Sequence, residues 1–299
     1  MLILRALHSP DHQPVALTIG NFDGVHLGHR AMLARLQAEA KSRGIPSAVV
    51  IFEPHPREFF APELAPVRLT SLREKLEMLC ELGVDRVHIC RFNSQFAKMS
   101  ASDFIDALHE KLSVKYVLIG DDFRFGSGRS GDFKVEAMHS VLHEGLRISS
   151  TAVRATLVAG NMRMAERYLG RPYSISGRVV HGDKLGREIG FPTANMQMKH
   201  NRPPLTGIFV VRVSGDDIPV LQGAASLGVR PTVHKNGRAV LEIHLLDFAA
   251  EIYGQHLRVE FLHKLRNEEK YPDLESLTRQ IALDVENTRK WFKENGLQE

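Results

Sequence analysis

A change of hydrophobic period near residue 168 restricts what this chain can fold into more than any other feature. Before it, strand-like and helix-like runs alternate. Val15–Ile19 is apolar and ends at Gly20, a strand signal. From Gly28 to Arg43, Leu33, Leu36 and Ala40 recur at helical spacing, and Gly44 stops the pattern. Ala48–Phe52, Arg86–Cys90 and Tyr116–Ile119 read as further strands. Ser71–Leu82, with Ser71 and Glu74 at capping-box spacing, and Ser102–Leu112 read as helices. Such alternation implies a parallel sheet wrapped by helices, with ligands bound at the carboxyl ends of its strands.

After residue 168 the segments become short and alternate with period two: Ser174–Val180, Ile208–Val213, Leu241–Leu245 and Leu257–Leu262, separated by Gly, Pro and Asn. This pattern predicts an antiparallel sheet or small barrel. A terminal helix follows, with Leu274, Leu277, Ile281 and Val285 on one stripe. Thr151–Tyr168 reads as a helix linking the halves. A length of 299 residues suits two domains, taken as 1–168 and 169–299.

Composition bounds the function classes. With 43% hydrophobic and 25% charged residues the chain is globular. Its net charge of +4 is small and does not call for a nucleic-acid partner, because phosphates of small nucleotides account for it equally well. Cys80 and Cys90 form neither a disulfide framework nor a C-x-x-C pair, and read as buried reduced thiols of a cytoplasmic protein. Met1–Arg5 reads as a short strand, not a signal peptide, and no apolar run approaches the ~20 residues of a membrane span. A monomer or weak homo-oligomer without a membrane partner is expected.

The strand Val15–Ile19 runs into Gly20-Asn21-Phe22-Asp23-Gly24-Val25-His26-Leu27-Gly28-His29. Glycines at a strand end let the backbone approach a ligand, and the helix starting near Gly28 aims free N–H groups and a positive dipole end at the same spot. His26 and His29 can donate hydrogen bonds to nucleotide phosphates as charge builds in a transition state. A metal pair is the competing reading, but no third ligand lies nearby in sequence.

In the second half, Gly182, Gly186 and Gly190 are spaced four apart with Lys184 and Arg187 between them. That spacing suits a loop around a polyphosphate, or an ordinary basic loop; it is not a P-loop. Thr193 and Asn195 stand one strand period apart and offer neutral oxygens suited to Mg²⁺. In Leu241-Glu242-Ile243-His244-Leu245 the apolar residues share one face and Glu242 and His244 the other. A glutamate facing a cleft can take a proton from a hydroxyl; one facing water is merely solvated.

These motifs, together with four further segments in order, resemble the bacterial bifunctional riboflavin kinase/FAD synthetase family. The segments are Phe52-Glu53-Pro54-His55-Pro56, Gly120-Asp121-Asp122-Phe123-Arg124-Phe125-Gly126, Ser149-Ser150-Thr151-Ala152-Val153-Arg154, and Phe261-Leu262-His263-Lys264-Leu265-Arg266. His26-Leu27-Gly28-His29 is similar to the H-x-G-H signature of nucleotidyltransferases, and Pro192-Thr193-Ala194-Asn195 to the P-T-A-N signature of riboflavin kinases.

The resemblance implies a Rossmann-like α/β nucleotidyltransferase domain followed by an antiparallel β-barrel kinase domain with a terminal helix. It implies that His26 and His29 contact ATP phosphates in catalysis, with Gly20, Asn21, Phe22, Gly28, Ser150, Thr151 and Arg154 also at the nucleotide. Asp23, Pro54, Pro56, Asp122, Phe123 and Arg124 would face the flavin. In the second domain Gly182, Lys184 and Gly186 would hold ATP, Thr193 and Asn195 Mg²⁺, and Arg266 the flavin or its phosphate. Glu242 would be the general base on the ribityl 5′-hydroxyl. Riboflavin, FMN, FAD and ATP are then substrates and products. Ala152 replaces an arginine common in the family, and Ser226 an asparagine. Two competing readings are a riboflavin kinase with a weakened adenylyltransferase, and a flavin-sensing or RNA-binding module without turnover.

Overall fold

In a computed structural model, the described residues are 1–8, 11–121, 134–143, 145–182, 185–198, 202–229 and 239–296. They divide into two compact units, Met1–Pro66 with Leu72–Ser150, and Val67–Ser71 with Thr151–Glu299.

The first unit contains β1 (Leu2–Leu4), β2 (Val15–Ile19), α1 (Leu27–Ser42), β3 (Ser47–Glu53), α2 (Pro56–Phe60), α3 (Leu72–Glu81), β4 (Arg86–Arg91), α4 (Ser94–Ala97), α5 (Ala101–Leu112), β5 (Val114–Gly120) and β6 (Lys134–Met138). A short antiparallel pair, β7 (Leu142–His143) and β8 (Leu146–Arg147), follows. The described residues build a parallel sheet in the order β1-β4-β3-β2-β5-β6. All five residues of β2 are buried, as a strand covered on both faces requires. Leu33, Leu36 and Ala40 are the buried stripe of α1.

From β2 the chain winds through β3 to β4 in one direction, then returns to place β5 on the other side of β2. The crevice at the carboxyl ends of β2 and β5 is therefore a topological switch point, where such sheets bind ligands.

The second unit holds α6 (Ser150–Val158), α7 (Met162–Leu169), β9 (Tyr173–Val180), α8 (Leu185–Glu188), β10 (Ala194–Met198), β11 (Gly207–Gly215), β12 (Ile218–Val229), β13 (Ala239–Leu245), β14 (His256–Arg266) and α9 (Leu274–Glu294). Its strands close into an antiparallel barrel, β10-β13-β12-β11-β14-β9. Alternate residues, among them Ile175, Met196, Phe209, Ala225, Leu241, Ile243, Val259 and Phe261, fill its interior.

Three expectations change. The helix expected over Thr151–Tyr168 is two helices, because Gly160 takes a left-handed φ of 73° and the Asn161 side chain caps α7 by accepting from the Met164 N–H at 3.0 Å. Cys80 is exposed on α3, while Cys90 is buried and its thiol is pushed up to about 12 by burial. On α9, Leu274 is exposed and the fully buried face is Asp284, Thr288 and Phe292. Leu277, Ile281 and Val285 instead face a cavity. Among the described residues no helix is long and apolar enough to cross a membrane.

Candidate functional sites

At the switch point the chain leaves β2 through a strained turn. Phe22, Gly24 and Val25 all have positive φ, 48°, 81° and 41°. For the two non-glycine residues such geometry costs about 1–3 kcal/mol each, and burial of both side chains holds it in place. Strain of this kind is typical of ligand sites. The turn delivers His26 to the N-cap of α1, where its Nδ1 accepts the His29 N–H at 3.3 Å. With Nδ1 accepting, Nε2 is the His26 ring nitrogen left to donate.

His29 stacks on His26 with ring centroids 3.7 Å apart, and touches Phe22 at 4.9 Å. Loss of solvent, then His26, then Lys75 hold His29 well below the ordinary value of 6.5, so it is a neutral donor at pH 7. A Cβ on Gly28 would stand 3.2 Å from the His26 ring, which explains the glycine between the histidines. Asn21 Oδ1 and His29 Nδ1 are buried without a hydrogen-bond partner among the described residues. Buried polar atoms in that state are what a ligand would satisfy.

Within the first unit, Ser150 Oγ donates to the Asp23 carbonyl at 2.9 Å. Thr151 and Arg154 belong to the second unit, where Arg154 Nε donates to the Val67 carbonyl at 2.5 Å. Ala152, on the first turn of α6, is half-buried. Pro54 and Pro56 lie just beyond β3; Pro56 opens α2 under a capping box formed by His55 and Glu58. Asp122, Phe123, Arg124 and Lys184 lie outside the described residues, as do Phe125, Gly126 and Arg230-Pro231-Thr232. Asp121 accepts from Ser140 Oγ at 2.7 Å and pairs with Arg147.

Sequence reasoning missed two features of this unit. Buried Lys75 acts on His29, and its signal, a lysine on the inner face of α3, resembles any helical charge. The rings of Phe52, Phe59, Phe60, Phe92, Phe96 and Phe104 form a linked wall beyond β3 and β4, with Phe60 66% exposed.

In the barrel unit, cross-strand register aligns a row of side chains. Asn195 is opposite Glu242, Glu242 opposite Ser226, Ser226 opposite Ile208, and Ile208 opposite Arg266. Directly opposite residues point to the same face, so five strands contribute to one line on the outer wall. This line borders a cavity of about 280 Å³ whose other side is α9, through Leu277, Ile281 and Val285. Thr193 and Gly186 also line it. The barrel side carries most of the polar groups, and α9 supplies Leu277, Ile281 and Val285 beside Asp284.

Thr193 further lines a smaller cavity of about 100 Å³ with Arg187, Phe248 and Tyr253. Gly182 is pressed against Asn195, since a Cβ there would overlap its amide. Among the described residues no three His, Cys, Asp or Glu side chains could share a metal. The neutral oxygens of Thr193 and Asn195 fit Mg²⁺ that arrives with phosphates.

Arg266 is more constrained than its sequence position suggested. Nε and Nη2 form a bidentate pair with Asp284 at 2.9 and 2.6 Å, and Nη1 donates to the Asn267 carbonyl at 3.0 Å. Arg266 also lines the cavity, with its guanidinium carbon 5.9 Å from the Tyr271 ring centre. Asp284, missed in the sequence as a charge on an apolar stripe, is 6% exposed and Arg266 19%. Replacing Asp284 with alanine leaves this enclosed cation unpaired. The loss should be about 3 kcal/mol in urea denaturation, against the ~1 kcal/mol typical of exposed pairs.

A strained strand-to-helix turn presenting two stacked imidazoles, and a barrel wall presenting a carboxylate beside neutral oxygen ligands, define a two-domain phosphate-transferring protein. Residues 8–155 match the FAD synthetase family and residues 169–292 the riboflavin kinase family. The chain is 47% identical to the bifunctional riboflavin kinase/FMN adenylyltransferase of Escherichia coli strain K12, over 98% of each chain, and 48% identical to that of Pseudomonas fluorescens, over 97% of each. It belongs to the bifunctional riboflavin kinase/FMN adenylyltransferase family. A Streptococcus pneumoniae crystal structure described as a macrolide-efflux protein shares 28% identity and the fold, with a TM-score of 0.81 over 97% of this chain and 99% of that one.

Proposed function

We propose that the chain converts riboflavin to FMN on the outer barrel wall and FMN to FAD at the switch point of the α/β unit, consuming ATP in each step. The row Asn195–Glu242–Ser226–Ile208–Arg266 carries the kinase half of this reading. The barrel side of the cavity suits the ribityl chain and the apolar side chains of α9 the ring system, with Arg266 against the flavin. Thr193 borders both cavities, so ATP in the smaller one would bring its γ-phosphate to the larger. Thr193 and Asn195 would hold Mg²⁺, which screens phosphate charge, while Gly182, Lys184 and Gly186 wrap the polyphosphate. Glu242 accepts the 5′-hydroxyl proton, the 5′-oxygen attacks the γ-phosphorus, and ADP leaves.

In the α/β unit the FMN phosphate attacks the α-phosphorus of ATP and pyrophosphate leaves. No protein nucleophile is required, because fixed donors and in-line placement carry such transfers. His26 Nε2–H and His29 serve as donors, with Asn21 and the Gly20–Gly24 turn around the nucleotide. Ser150, Thr151 and Arg154 would act at the triphosphate, and Asp23, Pro54, Pro56, Asp122, Phe123 and Arg124 at the flavin. We assign the two activities to residues 1–168 and 169–299 of a cytoplasmic monomer or weak homo-oligomer.

Incubation with riboflavin, ATP and Mg²⁺ should yield ADP, pyrophosphate, FMN and FAD, resolved by chromatography. FMN without FAD would leave a kinase alone, and neither product would overturn the proposal.

A further inference from the structure

The cavity beside Glu242 contains a second carboxylate that no sequence pattern singled out. Glu268 lies two residues past β14, on the segment leading to α9, and lines the cavity together with Glu242, Ser226 and Arg266. The residue as a whole is exposed, but its carboxyl folds inward over Gly228: a Cβ at Gly228 would overlap both carboxyl oxygens. Gly228 lies within β12 and has no positive φ, and its lack of a Cβ leaves the space that the carboxyl occupies. The strand keeps a place for this carboxyl.

The position of that place follows from register. Gly228 and Ser226 are two residues apart on β12 and share a face, and they pair with Val240 and Glu242 on β13. The Glu268 carboxyl therefore stands about one pleat repeat, roughly 7 Å, along the strands from Glu242. Their mutual influence agrees with this spacing. Glu268 is raised from its ordinary value first by desolvation, with Arg266 opposing and Glu242 adding to the rise. A polyol chain whose terminal hydroxyl meets Glu242 presents its inner hydroxyls along the same line.

We infer that Glu268 hydrogen-bonds an inner hydroxyl of the flavin's polyol side chain and selects for flavins that carry it. The inference rests on the kinase reading of this cavity. A flavin without those hydroxyls would cover the carboxyl while leaving it unpaired, which is how a polar site rejects a deoxy analogue.

The test uses the full chain and two substrates: riboflavin, and a flavin whose side chain is an unbranched 5-hydroxypentyl group. Glu268→Leu should raise KM for riboflavin about tenfold with little change in kcat, while KM for the hydroxypentyl flavin falls, because the unpaired carboxyl is gone. Glu268→Gln, which keeps a hydrogen-bonding oxygen, should recover most of the riboflavin KM. Equal losses with both flavins would mark a structural role and overturn the inference, as would an unchanged riboflavin KM in Glu268→Leu. Glu268→Ala is a second truncation at this exposed position and should give the same contrast if the leucine variant folds poorly. Should the wild-type chain fail to phosphorylate riboflavin, the kinase reading fails separately. Equilibrium dialysis of riboflavin against wild type and Glu268→Leu then still decides whether the contact exists, because any binding in the α/β unit is common to both proteins.

Discussion

Glu242→Gln is expected to lower FMN formation from riboflavin by about 10²–10⁴-fold, the usual range for loss of a positioned general base. The substitution keeps size and hydrogen bonding but removes the proton acceptor. Glu242 sits between Asn195 and Ser226 in register, with its neighbours Leu241 and Ile243 buried in the barrel, so the side chain has little freedom to leave the row. Because Asn21, His26 and His29 lie in the other compact unit, FAD formation from supplied FMN should be retained. The check is chromatography of parallel reactions started from riboflavin and from FMN. Comparable loss in both would mean that Glu242 supports the fold and is not the kinase base.

This asymmetry shows what the sequence could and could not display. The parallel sheet was legible because β2, β3, β4 and β5 are short apolar runs bounded by glycine or helical repeats, and burial on both faces leaves no other reading. The barrel was legible in β9, β11, β13 and β14, where alternation is clean. β10 and β12 escaped, since Ala194-Asn195-Met196-Gln197-Met198 is short and Gly223, Ala224, Ala225 and Gly228 blur the period.

At the sites, motif residues separated by few positions were found, because one turn or one strand holds them together. His26 and His29 share the cap of α1, and Thr193 and Asn195 share one strand entry. Glu268, Asp284 and Lys75 were not found. Their meaning depends on register between distant strands or on which helix face turns inward, and a single charged residue carries no such information. Arg266 was found, but its bidentate commitment to Asp284 was not, because the partner lies on a helix whose pattern reads as apolar.

His29→Ala should lower FAD formation from FMN by about 10²–10³-fold, the usual effect of removing one donor aimed at developing charge. FMN formation should stay near the wild-type rate, and pyrophosphate release is the direct readout. The expectation rests on the state of the ring. Desolvation, His26 and Lys75 keep it neutral, so it can offer an N–H without the cost of holding a buried cation. The same depression has a consequence for stability. The unfolded chain takes up a proton at this histidine as pH falls through about 6.5, and the folded chain does not. Folding therefore keeps the full contribution of this group above that value and loses it on acidification. His29→Ala should show a smaller drop in Tm than wild type between pH 7 and pH 5. A variant that loses adenylyl transfer while its Tm falls with acid as steeply as wild type would mean that the ring is not held neutral. Its role as a donor would then have to be carried by the imidazolium instead.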